Sequence, residues 1–565
     1  MFTRKDVSAQ LNEAARLLEV LGEDPFRVRS FQSAARAFES YQGDVGALYR
    51  ESGFRSIRGV GAGTDAELRA MFEVGVLPTL ADLREKVPDE VKAMFAVSGL
   101  GAKRIGLLWR NDIEGIEGII TAAEDGRLAS LPGLGAKSAL KLLEGARFAA
   151  TARARMRLDE AHRLSEAIVS ALHGEIAEVR AQVAGEYRRG FETIAEIDVV
   201  VAGLERATLV DVAARLLDER DKGDAEGLSG SLMGRRVRFT PTTVNAFGAT
   251  LALRTGNHEF VDTLLERAER MGVDLQDPVA RDGLDAPDEE TFLAWLGLPG
   301  IAPELRESAA PISVTGLLEL SDVRGLVHNH STWSDGALSI REMVSVAKGL
   351  GYRYLAMADH SGSSVVANGL TPERVEAQAE EIRAIRRELA DQGNDFDLLH
   401  GIEVDILPDG TLDLPDELLA QLDYTVVSVH QNFGLSREAQ TERVVRAVQN
   451  PNVYILGHAT GRLLLRRPGY DVDLQAVIEA CARTGTIIEI NANPRRLDLD
   501  WRWVIRAKAL GCLFSINPDA HSGDGFDDLR YGVTVARKAG LTPAEVVNTA
   551  WNGSGFLDRL RRLLP

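Results

Sequence analysis

The segment His328-Asn329-His330-Ser331-Thr332-Trp333-Ser334-Asp335-Gly336 follows the apolar pair Leu326-Val327, which reads as the end of a short strand. Two histidines at i and i+2 on an extended chain point to the same side. As neutral imidazoles they can chelate one divalent ion. Asp335 adds a hard oxygen ligand where Ser-Asp-Gly signals a turn. Alone, His-x-His is also compatible with a surface pair, so the other histidines decide.

The chain has ten histidines, and seven lie from His328 to His521. His360, His430, His458 and His521 each stand where an apolar run stops, as in Tyr424-Thr-Val-Val-Ser-Val-His430 and Val453-Tyr-Ile-Leu-Gly-His458. Glu403, in Leu398-Leu-His-Gly-Ile-Glu403, and Asp519, in Leu513-Phe-Ser-Ile-Asn-Pro-Asp519, add carboxylates in the same way. His, Asp and Glu at successive strand ends describe a metal site at the C-terminal mouth of a parallel barrel. The helical stretches Ser339–Leu350, Arg374–Leu389 and Leu474–Arg483 alternate with these strands, as a β/α barrel requires. His400 stands outside the pattern and reads as a packed or exposed histidine.

The ordered set resembles the polymerase-and-histidinol-phosphatase (PHP) domain. The surrounding Met357-Ala-Asp-His-Ser361, Gly401-Ile-Glu-Val-Asp-Ile-Leu-Pro-Asp-Gly410 and Glu489-Ile-Asn-Ala-Asn-Pro494 resemble the version fused to bacterial family X DNA polymerases. The resemblance implies a distorted (βα)7 barrel holding up to three ions on His328, His330, Asp335, His360, Glu403, His430, His458, Asp519 and His521. It assigns His328, His330, Glu403 and Asp519 to the first ion. Glu403, His430 and His458 hold the second, and Asp335, His360 and His521 the third. Glu403 and His430 are the expected catalytic pair. A mixed nitrogen and oxygen set suits Mn or Zn better than Ca or Mg. Arg462 is a candidate phosphate clamp or a structural salt bridge.

A chain of 565 residues should hold several domains. A polar N-terminus, no apolar run long enough to span a bilayer, and two cysteines in apolar surroundings, Cys481 and Cys512, point to a cytoplasmic protein with reduced thiols and no membrane association. The formal charge of −19 opposes wrapping of nucleic acid by the whole surface but allows a local basic face.

Residues 1–150 read as helices with short loops; Val7, Leu11, Ala14, Leu17 and Leu18 form a core stripe behind Thr3 or Asp6 as cap. An apolar residue, Gly-x-Gly and a helix recur three times, at Gly59/Gly61, Gly99/Gly101 and Gly133/Gly135, with Lys103 and Lys137 just inside the later helices. Free N–H groups at such helix starts can take phosphate oxygens without reading bases. The three resemble helix-hairpin-helix DNA-binding motifs. In the family the helix after the first hairpin often carries a lyase lysine; that place holds Glu67, which cannot form an imine.

Residues 151–235 read as a long helix, Arg153–His173, then strands at Ile176–Ala184 and Ile197–Val201. They resemble a family X palm, with Gly185, Arg188 and Arg189 on the nucleotide and Glu196 and Asp198 as catalytic ligands of Mn or Mg. The resemblance also exposes departures: Glu186 stands where the family has serine, Glu196 where it has aspartate, and Arg238 where it has a third aspartate. Residues 236–315 resemble the thumb, with an acidic loop over Asp274–Glu290 and a linker at Ala309-Ala-Pro-Ile.

The expected architecture is multidomain. A small helical DNA-binding domain (1–80) and helix-hairpin-helix fingers (81–150) precede an α+β palm (151–235) and thumb (236–315), and a PHP barrel (316–565) follows. The implied function is DNA repair of the base-excision kind. Weak, Mn-favouring gap filling would be joined to a 3′-5′ exonuclease, acting as a monomer on gapped or single-stranded DNA ends and dNTPs. The competing readings are a small-molecule phosphoesterase and a DNA-end-binding scaffold with a degenerate palm.

Overall fold

In the computed structural model, which describes all residues except 1, 42, 52, 177, 222–227, 311 and 562–565, the chain divides into two units, Met1–Ala154 and Arg155–Pro565. Ala177 of the expected strand and Pro311 of the expected linker lie outside the described residues.

The first unit is helical. Its opening helix, Arg4–Leu21, starts in a capping box in which Thr3 and Asp6 exchange bonds, so both expected cap residues take part. Val7, Leu11, Ala14 and Leu18 are wholly buried. The three glycine hairpins share one geometry. Gly59, Gly99 and Gly133 adopt φ of 105°, 79° and 79°, the left-handed region that favours glycine. Helices Ala62–Val74, Ala102–Trp109 and Ala136–Ala154 follow directly after Gly61, Gly101 and Gly135. No side chain caps the first two, which leaves their first-turn N–H groups to solvent or a ligand.

The second unit opens with a departure from expectation. Arg153–His173 is not one helix: one helix ends at Ala154 and the next spans Leu158–Glu175. Strand β1 (Met156–Arg157) lies between them and pairs antiparallel with Thr193–Ile194. Tertiary pairing outweighs helix propensity here. Arg155 donates to the hydroxyl and carbonyl of Thr193 and to Glu186, while Met156 is buried.

The palm sheet comprises β2 (Arg180–Val183), β4 (Glu196–Ala202), β5 (Glu219–Arg220), β6 (Ser229–Leu232) and β7 (Arg235–Thr242), with Thr193–Ile194 as β3; its order is β2-β4-β7-β6-β5. β4 and β7 run parallel, with Asp198 opposite Arg238. In the region expected as a thumb, helices Phe247–Thr255, His258–Arg270 and Glu289–Trp295 enclose their own apolar cluster. The acidic stretch expected as loop includes one short helix, Pro278–Asp282.

Seven parallel strands form the C-terminal sheet in sequence order: β8 (Gly325–Asn329), β9 (Tyr354–His360), β10 (Asp397–Asp405), β11 (Tyr424–Ser428), β12 (Ile455–Leu456), β13 (Ile487–Asn491) and β14 (Phe514–Asn517). Helices Ile340–Gly349, Pro372–Asp391 and Leu474–Thr484 lie within two residues of their expected ends. The seam between β8 and β14 closes through the His330 N–H on Ala520 O and through Asn548, whose amide donates to Gly325 O and Ile516 O. One buried apolar cluster runs from the palm into the barrel. Among the described residues no helix is long and apolar enough to cross a membrane.

Candidate metal centre

All nine expected ligands converge at the C-terminal ends of the barrel strands. His328 sits on an irregularity of the β8–β9 register with φ of 64°, and Asp519, past β14, has φ of 51°. Both are non-glycine residues in the left-handed region, strain that marks constrained functional positions. The simple same-side alternation expected for His328 and His330 is therefore replaced by a kinked backbone, although their ring centroids still lie 5.2 Å apart, with the planes tilted by 54°.

Glu403 is at the intersection. Its Oε1 lies 2.9 Å from His458 Nε2, 3.3 Å from His430 Nε2 and 3.3 Å from His328 Nε2, and its Oε2 lies 2.9 Å from His360 Nδ1. Asp519 Oδ1 is 3.2 Å from His330 Nε2, and Asp335 Oδ1 is 3.3 Å from His521 Nε2. Donors held about 2.1 Å from one ion in tetrahedral array are about 3.4 Å apart, so these separations fit shared ions. Three clusters have ligand atoms within 4.8 Å of one another: His330/Asp335/His360/His521, His328/His330/Asp519 and His360/Glu403/His430. His330 and His360 each belong to two of them, which the resemblance did not anticipate.

Both Glu403 oxygens, Nε2 of His328 and His430, and both ring nitrogens of His330 are buried without a hydrogen-bond partner in the protein. Orphaned buried polar atoms are costly, and a divalent cation satisfies this set together. The residues present therefore fit divalent ions.

The electrostatics agree. Burial disfavours a charged imidazole at His328, but Glu489, Glu403 and Asp519 outweigh it and hold the group well above its ordinary value. Against the same burial, Glu403 and Asp405 push His430 up to about 10, and Asp335 with Asp519 lifts His521 to about 9. His330, buried between His521 and His360, falls to about 3. Burial would raise Glu403 and Asp519, yet the surrounding imidazoles hold both well below the carboxylate range. Without ions, protons balance these carboxylates; ions displace them.

Behind the ligands lies a layer that the sequence reading missed. Glu489 on β13 accepts from His328 Nδ1 at 2.5 Å, and Asp405 accepts from His430 Nδ1 at 2.7 Å. Each contact fixes its ring so that Nε2 faces the site. Asp359 accepts from Ser331, Ser334 and Gln378, which shapes the turn carrying Asp335. His400 is buried with Nε2 on Gln378 Oε1, a packed residue. Arg462 proves structural: it bonds Arg496 O, Leu497 O and Asp500 and approaches Glu192 of the palm at 3.6 Å.

The palm differs in kind. Glu196 pairs with Arg238 at 3.0 Å, and Asp198 with Arg254 at 2.5 Å and with Thr240 at 2.9 Å. Arg188 is tied to Thr255 and Glu289; Arg189 is tied to Glu307 and Thr255 O. Gly185 holds φ of 65° beside them. Glu186 accepts from Arg155 and the Ala195 N–H. Each expected palm residue thus already has protein partners, and the close metal-ligand clusters among the described residues lie in the barrel. In the first unit, Gly61, Gly99, Gly101, Gly133 and Gly135 have open space where a Cβ would stand, and Lys103 and Lys137 are exposed. Glu67 caps Thr79, accepting from its N–H and hydroxyl.

A helix-hairpin-helix domain family model matches residues 3–77, and a PHP domain model matches 327–492, so Asp519 and His521 lie beyond the matched segment. Over 560 residues the chain is 34% identical to the DNA polymerase/3′-5′ exonuclease PolX of Bacillus subtilis (strain 168), covering 96% of this chain and 97% of that protein. Probable phosphatases of Thermoanaerobacter sp. (strain X514) and Syntrophotalea carbinolica are 28% and 26% identical over 39% of this chain. With likeness to PolX running from the hairpins through the palm to the metal-ligand barrel, the chain belongs to the family X DNA polymerases that carry a C-terminal PHP domain.

Proposed function

We propose that the barrel hydrolyses terminal phosphodiesters of a DNA strand in the 3′-5′ direction, and that the palm adds nucleotides weakly and prefers Mn. The observation that carries the nuclease reading is Glu403, buried at 1% exposure with both oxygens unbonded amid four imidazoles. His328, His330, Asp335, His360, Glu403, His430, His458, Asp519 and His521 would hold Mn or Zn. Such ions lower the pKa of a bound water and offset charge on phosphoryl oxygens. The chain's own part is orientation: Glu489 and Asp405 fix two imidazole tautomers, and Asp359 holds the turn that presents Asp335.

The hairpins supply sequence-independent DNA contacts through Gly59, Gly61, Gly99, Gly101, Gly133, Gly135, Lys103 and Lys137. In the palm, Glu196 and Asp198 would recruit Mn or Mg only by displacing arginine partners, a competition that would keep synthesis weak. Arg188 and Arg189 would likewise exchange Glu289 and Glu307 for a triphosphate. The protein works as a monomer in the cytoplasm, where buried Cys481 and Cys512 stay reduced. The probable phosphatases cover 39% of this chain, and a phosphomonoester substrate needs neither hairpins nor palm.

The test is cleavage of labelled single-stranded and gapped DNA beside a free phosphomonoester, in defined metal, by the wild type and Glu403→Gln. Faster turnover of DNA, lost in the variant, is expected; turnover of the monoester alone overturns the reading.

A further inference from the structure

A second cavity, of about 630 Å³, opens beside the metal-site cavity and shares Arg496, Asp519 and His521 with it. Its walls carry Arg157 from the palm side and Arg466, Arg495 and Arg496 from the barrel. Its carboxylates are Asp519, a ligand, and Asp528, which burial beside Asp159 and Asp527 pushes up to about 7. Arg157 is paired with Asp159 and Glu160, and Arg496 reaches Asp519 at 3.4 Å. Arg466 and Arg495 are exposed and make no ion pair with a described residue.

The two free guanidiniums stand on a braced support. Leu464 N–H donates to Arg495 O at 2.7 Å, and the Leu463–Arg467 bridge closes the turn on which Arg466 sits, with Leu465 at φ of 59°. Arg462 holds the carbonyls of Arg496 and Leu497. Both arginine segments are therefore fixed before any ligand arrives, which reduces the ordering cost of binding. A volume of this size falls in the range of about 300–1,000 Å³ typical of ligand sites. Guanidinium forks are matched to phosphate oxygens.

We infer that this cavity binds the sugar-phosphate backbone of the retained DNA strand, with Arg466 and Arg495 on the phosphates 5′ to the bond being cut. The strand then runs from the metal cluster past Arg496 toward Arg157. This rests on the exonuclease reading above. Arg466 and Arg495 are positioning residues: they hold the strand and touch no reacting atom.

The dinucleotide dTpT has only the scissile phosphate, whereas an oligo(dT) octamer adds phosphates upstream of its terminal bond. In Arg466→Gln/Arg495→Gln the ratio of kcat/KM for the octamer to that for dTpT should fall about tenfold or more, through KM, as expected for losing charge-assisted phosphate contacts. An unchanged ratio, or an equal loss on both substrates, overturns the inference. A second readout needs no turnover. With metal chelated, an octamer carrying 4-thiothymidine next to its 3′ nucleotide should photo-cross-link to residues 463–467 or 493–496 in the full chain, and less in the variant. Cross-links found only elsewhere overturn it. Wild-type cross-linking at these segments without DNA cleavage in metal would support the cavity while refuting the exonuclease reading.

Discussion

Glu489→Gln should cost metal affinity although Glu489 is not an expected ligand. The carboxylate is fully buried and accepts four bonds. Oε1 takes the His458 N–H at 3.0 Å and Asn491 Nδ2 at 2.8 Å; Oε2 takes His328 Nδ1 at 2.5 Å and Asn517 Nδ2 at 2.6 Å. With its NH₂ on the Oε1 side a glutamine faces the His458 N–H and the Asn491 amide; on the Oε2 side it faces the Asn517 amide and can donate to His328 Nδ1 only by shifting the imidazole proton to Nε2, the nitrogen that faces the site. Neither asparagine can rotate freely, because Asn491 Oδ1 accepts from the Asn493 N–H and Asn517 Oδ1 from Ser515. At least one buried donor is left unsatisfied in either orientation, at a cost of about 1–3 kcal/mol. Loss of the carboxylate that orients His328 lowers metal affinity about 10–100-fold, or about 1.4–2.7 kcal/mol. Competition against a chelator of known affinity reads the second quantity, and thermal melting of the metal-free protein reads the first. Affinity within about twofold of wild type, with melting unchanged, would refute the reasoning.

Four further outcomes are expected. His430 and His521 hold protons up to about 10 and about 9 in the metal-free site, so ion binding should release protons at neutral pH and tighten as pH rises; calorimetry in two buffers of different ionisation enthalpy would show otherwise if no protons left. Asp528 has a folded pKa near 7 against 3.8 unfolded, so the fold loses stability as pH rises between them. Asp528→Asn should add about 1–2 kcal/mol at pH 8, discounted for its partial exposure, and nothing at pH 4, by denaturant titration. Glu196→Asp, Arg238→Asp and Glu186→Ser together should raise Mn-dependent nucleotide addition by more than the product of their single fold-changes, since they reshape one charge cluster; additive or absent gains in a primer assay would count against this. Residues 1–154 should bind gapped DNA of any sequence with a log–log salt slope of roughly −0.7 to −0.9 per phosphate, and salt-independent binding would contradict the hairpin assignment.

Most of the expected ligands were legible because they stand at or just past the end of an apolar strand, while Asp335 was read from the Ser-Asp-Gly turn after His330 and the grouping around three ions came from the family resemblance. Asp405 and Glu489 were not read, although both carried a signal: a carboxylate inside the apolar runs Ile402–Ile406 and Ile487–Ile490. The break at Arg155–Arg157 was hidden because it depends on Thr193 and Glu186, far along the chain. Substitutions at Glu186, Glu196 and Arg238 were visible, but not their consequence. Compensation of Asp198 comes from Arg254 on a helix, and that of Arg189 from Glu307, and neither partner lies near in sequence. Arg462 offered two roles in the sequence, and only its partners decided for the structural one.

The most direct measurement is an anomalous-scattering map at the Mn absorption edge from crystals of the whole chain soaked in Mn. Peaks are expected within about 2–2.6 Å of ligand atoms of His328, His330, Glu403, His430 and His521, absent in Glu403→Gln, with none between Glu196 and Asp198. A strong peak at the palm carboxylates with an empty barrel mouth would contradict this.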